Sequence, residues 1–111
     1  MTRTKIKATR YAFGLEEESY HLFMIQESDE RYLMIQKACE FDQQDHDLGM
    51  DTYYLEINGQ ANARYGGVVS IAIKYKEIEI ALADQIIVLE ITDCDLDVNE
   101  VFKNLKEILD L

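Results

Sequence analysis

The hydrophobic pattern of this chain changes its period once, near the C-terminus. Up to Ile91 the apolar residues come in short runs that mostly alternate with polar ones, as Tyr53, Leu55 and Ile57 do, and this is the period of β-strands. From Val101 onward they recur three and four residues apart, which is the period of an α-helix. A long strand-forming region followed by one helix favours a sheet against which that helix packs.

Seven segments are predicted to be strands. The first, residues 5–13, breaks its alternation near Arg10 and is expected to contain a bulge. Residues 20–26 are apolar on both faces, which is typical of a central strand covered on both sides. A short polar turn joins them to residues 31–38 as an antiparallel hairpin. The other four strands are expected at residues 53–57, 69–75, 78–82 and 86–91.

The strand at residues 53–57 shows the clearest alternation. Tyr53 and Leu55 are expected on its buried face, and Tyr54 and Glu56 on its solvated face. This strand is therefore predicted to expose a tyrosine and a carboxylate.

Glycines mark two changes of direction. The pair Asn58-Gly59 is a strong turn signal, because both residues tolerate a positive φ. Gly66 and Gly67 precede a strand rather than a helix, so we interpret them as a bend or bulge and not as a phosphate-binding loop. The residues expected to share one face of the strand that follows are Val69, Ile71, Ile73 and Tyr75.

The C-terminal segment predicts one amphipathic helix. Asp97 is suited to cap its first turn, with Glu100 three residues later, and Leu96 is suited to pack against Val101 across the cap. A helix of this length is marginal alone, so it must pack on the sheet. Its apolar stripe is formed by Val101, Phe102, Leu105, Ile108 and Leu109. We therefore expect one α+β domain over residues 1–111, with a mostly antiparallel sheet of about seven strands and one C-terminal helix.

The charge balance excludes several classes of partner. The chain has 11 Lys and Arg against 22 Asp and Glu, a formal net charge of −11, in a composition that is 48% hydrophobic. This apolar content is typical of a folded domain, so the excess charge lies on the surface. Such a surface is repelled by nucleic-acid phosphates and anionic membranes, and no run approaches the roughly 20 apolar residues of a spanning helix. No secretory signal is visible, so we expect a cytoplasmic protein that binds neither nucleic acid nor membrane.

The acids are concentrated in residues 38–63, which we call the central acidic segment. It contains no Lys or Arg. Concentrated like charge repels itself, so a small protein that carries it is expected to attract a basic partner, most simply another protein. Tyr53, Tyr54 and Tyr65 lie around the segment, and tyrosine is enriched at the energetic centres of interfaces. The six acids of the segment are Glu40, Asp42, Asp45, Asp47, Asp51 and Glu56.

A second stretch, residues 77–102, also lacks Lys and Arg and contains eight acids. It predicts a second negative surface. The sequence does not decide which of the two surfaces meets a partner.

No constellation of residues predicts an enzyme. The few serines, cysteines and histidines form neither a nucleophile elbow nor a Cys-His signature. The aspartates of the central acidic segment have the wrong spacing for an EF-hand, which leaves a solvated loop, a partner-binding loop or a cation site open. Cys39 and Cys94 are expected to be reduced core thiols. No cofactor and no metal are predicted.

Four runs of this sequence resemble a known family. They are residues 32–36 (YLMIQ), 40–45 (EFDQQD), 48–56 (LGMDTYYLE) and 65–67 (YGG). Together they resemble the tenth immunity-protein family of bacterial polymorphic toxin systems, in order and over roughly residues 5–110. The resemblance implies an antitoxin that binds a cognate toxin domain and blocks it. Many such toxins are nucleases with basic clefts, which an acidic surface would complement.

We therefore predict an immunity protein that acts by occlusion and performs no catalysis, as a monomer or a homodimer. Two alternatives stay open: a small hydrolase that uses a pair of carboxylates, and a homodimeric scaffold that pairs through an exposed sheet edge. The predicted contacts with the toxin are Asp42, Asp45, Asp47, Asp51, Tyr54, Glu56 and Tyr65.

Overall fold

The computed structural model describes residues 2–17, 19–49, 52–93 and 95–111. Within these ranges the chain forms nine strands, two α-helices and a short 3-10 turn at Gln60–Asn62. The helices are α1 (Gln43–Asp47) and α2 (Val98–Leu109). The strands are β1 (Thr2–Lys7), β2 (Arg10–Glu16), β3 (Tyr20–Gln26), β4 (Tyr32–Ala38), β5 (Tyr54–Ile57), β6 (Ala63–Tyr65), β7 (Val68–Lys74), β8 (Glu77–Leu82) and β9 (Gln85–Glu90).

These strands form two sheets. β2, β3, β4, β5 and β6 pair in that order as a five-stranded antiparallel sheet, which confirms the predicted β3–β4 hairpin. β7, β8 and β9 form an antiparallel meander. β1 adds to the meander in parallel beside β9, so the order of this four-stranded sheet is β1-β9-β8-β7. The first strand of the chain therefore pairs with the last.

One hydrophobic core joins both sheets to α2. Successive residues of a strand point to opposite sides, so every second residue of β3 and β8 faces this core. Phe23 and Ile25 of β3 are fully buried in it, as are Ile78 and Ile80 of β8. The alternation seen in the sequence is thus the pattern of one inner face on each sheet.

The C-terminal helix forms as predicted. The Asp97 side chain accepts a hydrogen bond from the Asn99 backbone N–H at 2.9 Å, which caps the first turn. α2 contacts β3, β4 and β8. Its buried residues are Val101, Leu105, Ile108 and Leu109, with Phe102 partly buried beside them. The α+β class predicted from the change of period is confirmed.

The prediction of about seven strands is too low by two. Residues 5–13 are not one bulged strand: the chain bends at Ala8 and Thr9 and passes from one sheet to the other, so β1 and β2 have different neighbours. The alternation breaks near Arg10 because the core lies in a different direction from each sheet. β6 is the other additional strand, and its three residues are too few to show a period.

Gly66 and Gly67 mark the second passage between the sheets. Their φ angles are +71° and +97°, which glycine adopts without steric strain. The Gly66 N–H donates to the Tyr53 carbonyl at 2.9 Å, and the Val68 N–H donates to the buried Tyr53 hydroxyl at 2.9 Å. The predicted bend is confirmed, and it connects β6 to β7.

The face predicted for β7 is wrong at both ends. The register shifts just after Val68, so Val69 points away from the core and is 68% exposed. Tyr75 lies in the turn to β8 and is 89% exposed. Ile71 and Ile73, between them, pack against the core as expected.

The five-stranded sheet has an outer face, which is the side opposite the core. The sequence predicted that β3 is covered on both sides, and this is wrong for the outer face. Leu22 and Met24 are only half-buried there, whereas Phe23 and Ile25 on the inner face are fully buried. The outer face therefore offers apolar surface to a partner.

The prediction for the cysteines is wrong for Cys39. It follows the last residue of β4 and is exposed rather than part of the core, because the chain leaves the sheet at that point. Cys94 lies outside the described residues.

Candidate functional site

An open cavity of about 460 Å³ lies on the outer face of the five-stranded sheet. Its floor is formed by residues that are neighbours across three strands. Met34 and Gln36 of β4 pair with Glu56 and Tyr54 of β5. Tyr54 in turn pairs with Tyr65 of β6. Cavities that hold small ligands or side chains commonly have volumes of about 300–1,000 Å³. The residues lining it are Tyr20, Met34, Gln36, Ala38, Phe41, Asp45, Thr52, Tyr54, Glu56, Gln60 and Tyr65.

Glu56 lies on the floor of this cavity and is 6% exposed, the one buried charged side chain among the described residues. The sequence predicted it on a solvated strand face, which is wrong. Tyr54 Oη donates to Glu56 Oε1 at 2.6 Å, and Tyr32 Oη donates to Glu56 Oε2. Tyr32 belongs to the neighbouring strand β4, diagonally across from Glu56. The carboxylate is thus held by one phenol from its own strand and one from the next.

The two tyrosines respond to this carboxylate. The hydrogen bond to Glu56 raises the pKa of Tyr54 from its ordinary value of 10.0 to about 12, and burial adds to the effect. The same hydrogen bond raises the pKa of Tyr32. Both phenols therefore stay protonated, as hydrogen-bond donors to Glu56, well above neutral pH.

Tyr65 extends the site to its rim. Its ring packs edge-to-face on the Tyr54 ring, with 5.5 Å between the centroids and 63° between the planes. Tyr65 is itself 44% exposed, because β6 is an edge strand. The cavity thus has an aromatic wall that runs from the buried carboxylate to solvent.

The other rim is formed by the segment around α1. The sequence predicted a polar connection here, but residues 43–47 form a one-turn helix with Asp42 as its N-cap. Asp42 Oδ1 accepts from the Asp45 N–H at 2.8 Å, and Asp45 Oδ2 accepts from the Asp42 N–H at 3.1 Å, which is a capping box. Two aspartates predicted as contacts therefore also fix the shape of the rim.

Four of the seven predicted contact residues line this cavity together: Asp45, Tyr54, Glu56 and Tyr65. Asp42 and Asp47 do not line it. They are exposed at the two ends of α1, beside it in the chain. Asp51 lies outside the described residues. Whether any of them touches a partner stays a prediction.

Sequence reasoning missed the part of the cavity contributed by the two central strands. Tyr20 of β3 and Met34 and Gln36 of β4 line it, and Phe41 covers it from the loop before α1. The signal was present, since residues 20–26 are apolar on both faces and a helix covers only one of them. An apolar strand face without a covering element indicates an interaction surface.

The second predicted negative surface is partly neutralised among the described residues: three of its eight acids, Glu79, Asp84 and Glu90, form ion pairs with Lys or Arg. β1 lies beside β9 and brings Arg3 to within 2.8 Å of Glu79, and Lys5 to within 3.6 Å of Glu90. Lys74 also lies 3.3 Å from Glu79. These cations lower the effective charge of the four-stranded sheet, and the hydrogen bond from Arg3 lowers the pKa of Glu79.

The described acids of the central acidic segment are not compensated by Lys or Arg in this way. In the described part of the chain, no Lys or Arg lies within ion-pair distance of Glu40, Asp42, Asp45, Asp47 or Glu56. Arg64, the first cation after the segment, pairs with Asp84 at 2.9 Å. Uncompensated negative charge is therefore concentrated around the cavity.

Neither a metal site nor a membrane segment is found where the structure is described. No group of three or more His, Cys, Asp or Glu side chains there has an arrangement that could hold a metal ion. None of the described helices is long and apolar enough to cross a membrane.

A comparison with family models identifies the chain. Residues 7–101 match the model of Immunity protein 10. The chain belongs to the Immunity protein 10 family. The predicted resemblance is thereby confirmed, and the matched region includes every residue that lines the cavity.

Beyond its family, this Immunity protein 10 chain matches no curated protein and no solved structure. Its family membership supports an immunity role and an interaction with a toxin protein. The acidic, aromatic cavity on the outer face is the feature of this Immunity protein 10 fold best suited to such an interaction.

Proposed function

We propose that this protein is the antitoxin of a bacterial polymorphic toxin system, and that it binds its cognate toxin domain in the cytoplasm and blocks it by occlusion, without catalysis. The toxin would meet the outer face of the five-stranded sheet and the α1 rim beside it. On this proposal the target is a toxin with a basic, nuclease-like active site, which the acidic surface covers.

The observation that carries the proposal is the uneven compensation of charge. On the four-stranded sheet, Glu79 and Glu90 are paired with Arg3, Lys5 and Lys74, whereas the acids around the cavity have no Lys or Arg partner among the described residues. Unpaired surface charge produces the long-range field that steers a basic partner. The half-buried apolar residues of the outer face, such as Met24 and Met34, supply contact area next to that field.

The proposal predicts that the gene immediately upstream encodes a large secreted protein with a C-terminal toxin domain, and that domain is the partner to test. Co-expression should protect cells from that toxin, and the purified proteins should associate with a rate constant that falls steeply as salt is added. An association rate that does not respond to salt would contradict electrostatic steering, and a failure to protect would contradict the immunity role.

A matched pair of variants locates the surface. The triple variant Asp42→Asn, Asp45→Asn, Asp47→Asn removes three charges from the α1 rim but keeps side chains that can cap the helix. The association rate should fall by on the order of tenfold. The control removes three charges from exposed positions elsewhere and should change the rate much less: Glu30→Gln, Glu100→Gln and Glu107→Gln.

The two alternative functions, a hydrolase and a homodimeric scaffold, predict different experimental results. A hydrolase that uses Asp45 and Glu56 would convert a small substrate in the absence of toxin, and it would lose this activity in Glu56→Gln. A homodimeric scaffold would bury the free edge of β7 and show a doubled mass by light scattering.

A further inference from the structure

The cavity contains a buried carboxylate, Glu56, that no Lys or Arg of the described residues neutralises. Glu56 is 6% exposed, and no described Lys or Arg lies within ion-pair distance of it. Buried carboxylates are normally paired, because removing a charge from water is costly. The hydroxyls of Tyr32 and Tyr54 compensate in part, with one donor to each carboxylate oxygen. Each oxygen has a second lone pair that remains available as an acceptor.

The walls around this carboxylate also suit a cation. Tyr54 and Tyr65 form a continuous aromatic surface from the floor to the rim, and Tyr20 and Phe41 are further aromatic residues that line the cavity. Aromatic faces attract cations through the ring quadrupole. Asp45 contributes a second carboxylate, and none of the eleven lining residues is Lys or Arg.

We infer that this cavity receives the side chain of an arginine presented by the partner protein, with its guanidinium against Glu56 and stacked on the tyrosine wall. The inference rests on the proposed function, since it names the chemistry by which the same face recognises the toxin. A guanidinium fits better than an ammonium because it is planar, presents several donors in a fixed fork, stacks on aromatic rings and is weakly hydrated. The desolvation of Glu56 already occurs on folding, so the site is preorganised for the incoming charge.

A small probe tests the inference without any toxin. The probe is N-acetyl-arginine methylamide, compared with the same derivative of citrulline, which has a similar shape and no charge. The arginine derivative should shift the NMR ring signals of Tyr54 and Tyr65 in a saturable way, and the citrulline derivative should not. Equal shifts with citrulline, or shifts spread over the whole acidic surface, would overturn the inference. An equal response to the lysine derivative would overturn the choice of a guanidinium.

Two variants of the cavity keep the test specific. Glu56→Gln preserves the shape and one acceptor oxygen but removes the charge, and its NH2 group can donate to the second tyrosine hydroxyl, so saturation by the arginine derivative should disappear. Tyr65→Leu removes the exposed wall and should weaken the response even if Glu56→Gln fails to fold. The matched control is Tyr75→Leu, because Tyr75 is 89% exposed and lies in the β7–β8 turn, and it should respond like the parent protein.

Toxin binding then separates this inference from the proposed function. Glu56→Gln should weaken the affinity for the toxin domain by about 30-fold or more, the usual effect of removing one member of a buried charge pair. Unchanged toxin affinity in Glu56→Gln, with protection by the parent protein intact, would refute the arginine site and leave the immunity role standing. Absence of toxin binding by the parent protein would refute the immunity role, whatever the probe does.

Discussion

At the scale of single residues, the position of Glu56 illustrates what the sequence can and cannot predict. The alternation of β5 correctly places Leu55 inward and Glu56 outward. The burial of Glu56 depends on Tyr32 and on the cavity rim, which reach it only through the register of β4 with β5 and the fold of α1. Neither is a local property. An outward carboxylate looks solvated in a sequence even where its neighbours bury it.

The first prediction concerns the ionisation of Tyr54. An absorbance titration of phenolate should show a tyrosine that ionises at about pH 12, because the hydrogen bond to Glu56 favours the protonated phenol and burial adds to the effect. Tyr54→Phe should remove this step, and Glu56→Gln should move it towards pH 10. A titration of Glu56→Gln that is identical to that of the parent protein would contradict the assigned cause.

This shift also has a consequence for stability. The pKa of Tyr54 is higher in the folded protein than in the unfolded chain, so the unfolded chain loses its proton first as the pH rises. The stabilisation is complete below pH 10 and is lost as the pH rises to about 12. The free energy of unfolding should therefore fall over this interval, and it should fall less in Tyr54→Phe. An equal fall in both proteins would show that other groups cause it.

At the scale of elements, the sequence predicts the features that depend on neighbouring residues. It does not predict which distant segments pair with each other. The helix α2 and the β3–β4 hairpin follow from periodicity, capping and a short turn, all of which lie within a few residues. The split of residues 5–13 between two sheets and the parallel pairing of β1 with β9 depend on contacts between the two ends of the chain. The one-turn helix α1 was missed because five residues are too few for a helical period, although its capping pair Asp42 and Asp45 is visible in the sequence.

The second prediction concerns the start of α2. Asp97→Ala should reduce the free energy of unfolding by about 1 kcal/mol, because the Asn99 N–H loses its acceptor. Asp97→Asn is the control, since it loses the same charge but can still accept that hydrogen bond. Urea denaturation of the two variants measures the difference. Equal stabilities would mean that the cap contributes nothing to this helix.

The third prediction concerns the passage from β6 to β7. Gly66→Ala should be destabilising by roughly 1–2 kcal/mol, because alanine is strained at a φ of +71°. A Cβ atom at this position would lie 3.5 Å from Thr52 Cγ2, an ordinary contact, so the cost comes from the backbone. Gly66→Asn should cost less, since asparagine tolerates the left-handed region better. An alanine variant as stable as the parent would contradict this account.

At the scale of the whole molecule, the distribution of charge distinguishes the two sheets. The four-stranded sheet carries internal ion pairs, whereas the surroundings of the cavity keep most of their negative charge. A net charge of −11 on a chain of 111 residues also acts on the fold, because like charges repel in the compact state. A surface suited to a basic partner is therefore somewhat unfavourable for the free protein.

The fourth prediction concerns this repulsion. Raising NaCl from about 0.01 M to about 0.15 M shortens the screening length from roughly 30 Å to roughly 8 Å. The unfolding temperature should rise by roughly 3–6 °C, which for a domain of this size corresponds to on the order of 0.5–1 kcal/mol. The variant Glu30→Gln, Glu100→Gln, Glu107→Gln loses three of the eleven excess negative charges and should respond less to salt. An unfolding temperature that stays constant or falls would contradict this prediction. It would show that salt weakens the stabilising ion pairs at least as much as it relieves the repulsion.

The parallel pairing of β1 with β9 has a consequence for synthesis on the ribosome. Thr2 is paired with Gln85, so β1 waits for a neighbour that is translated 83 residues later. The five-stranded sheet is made from consecutive segments and is able to assemble while the chain is still growing. The outer face that we propose for toxin binding is therefore built early in translation, and the pairing of β1 with β9 is the late step of folding.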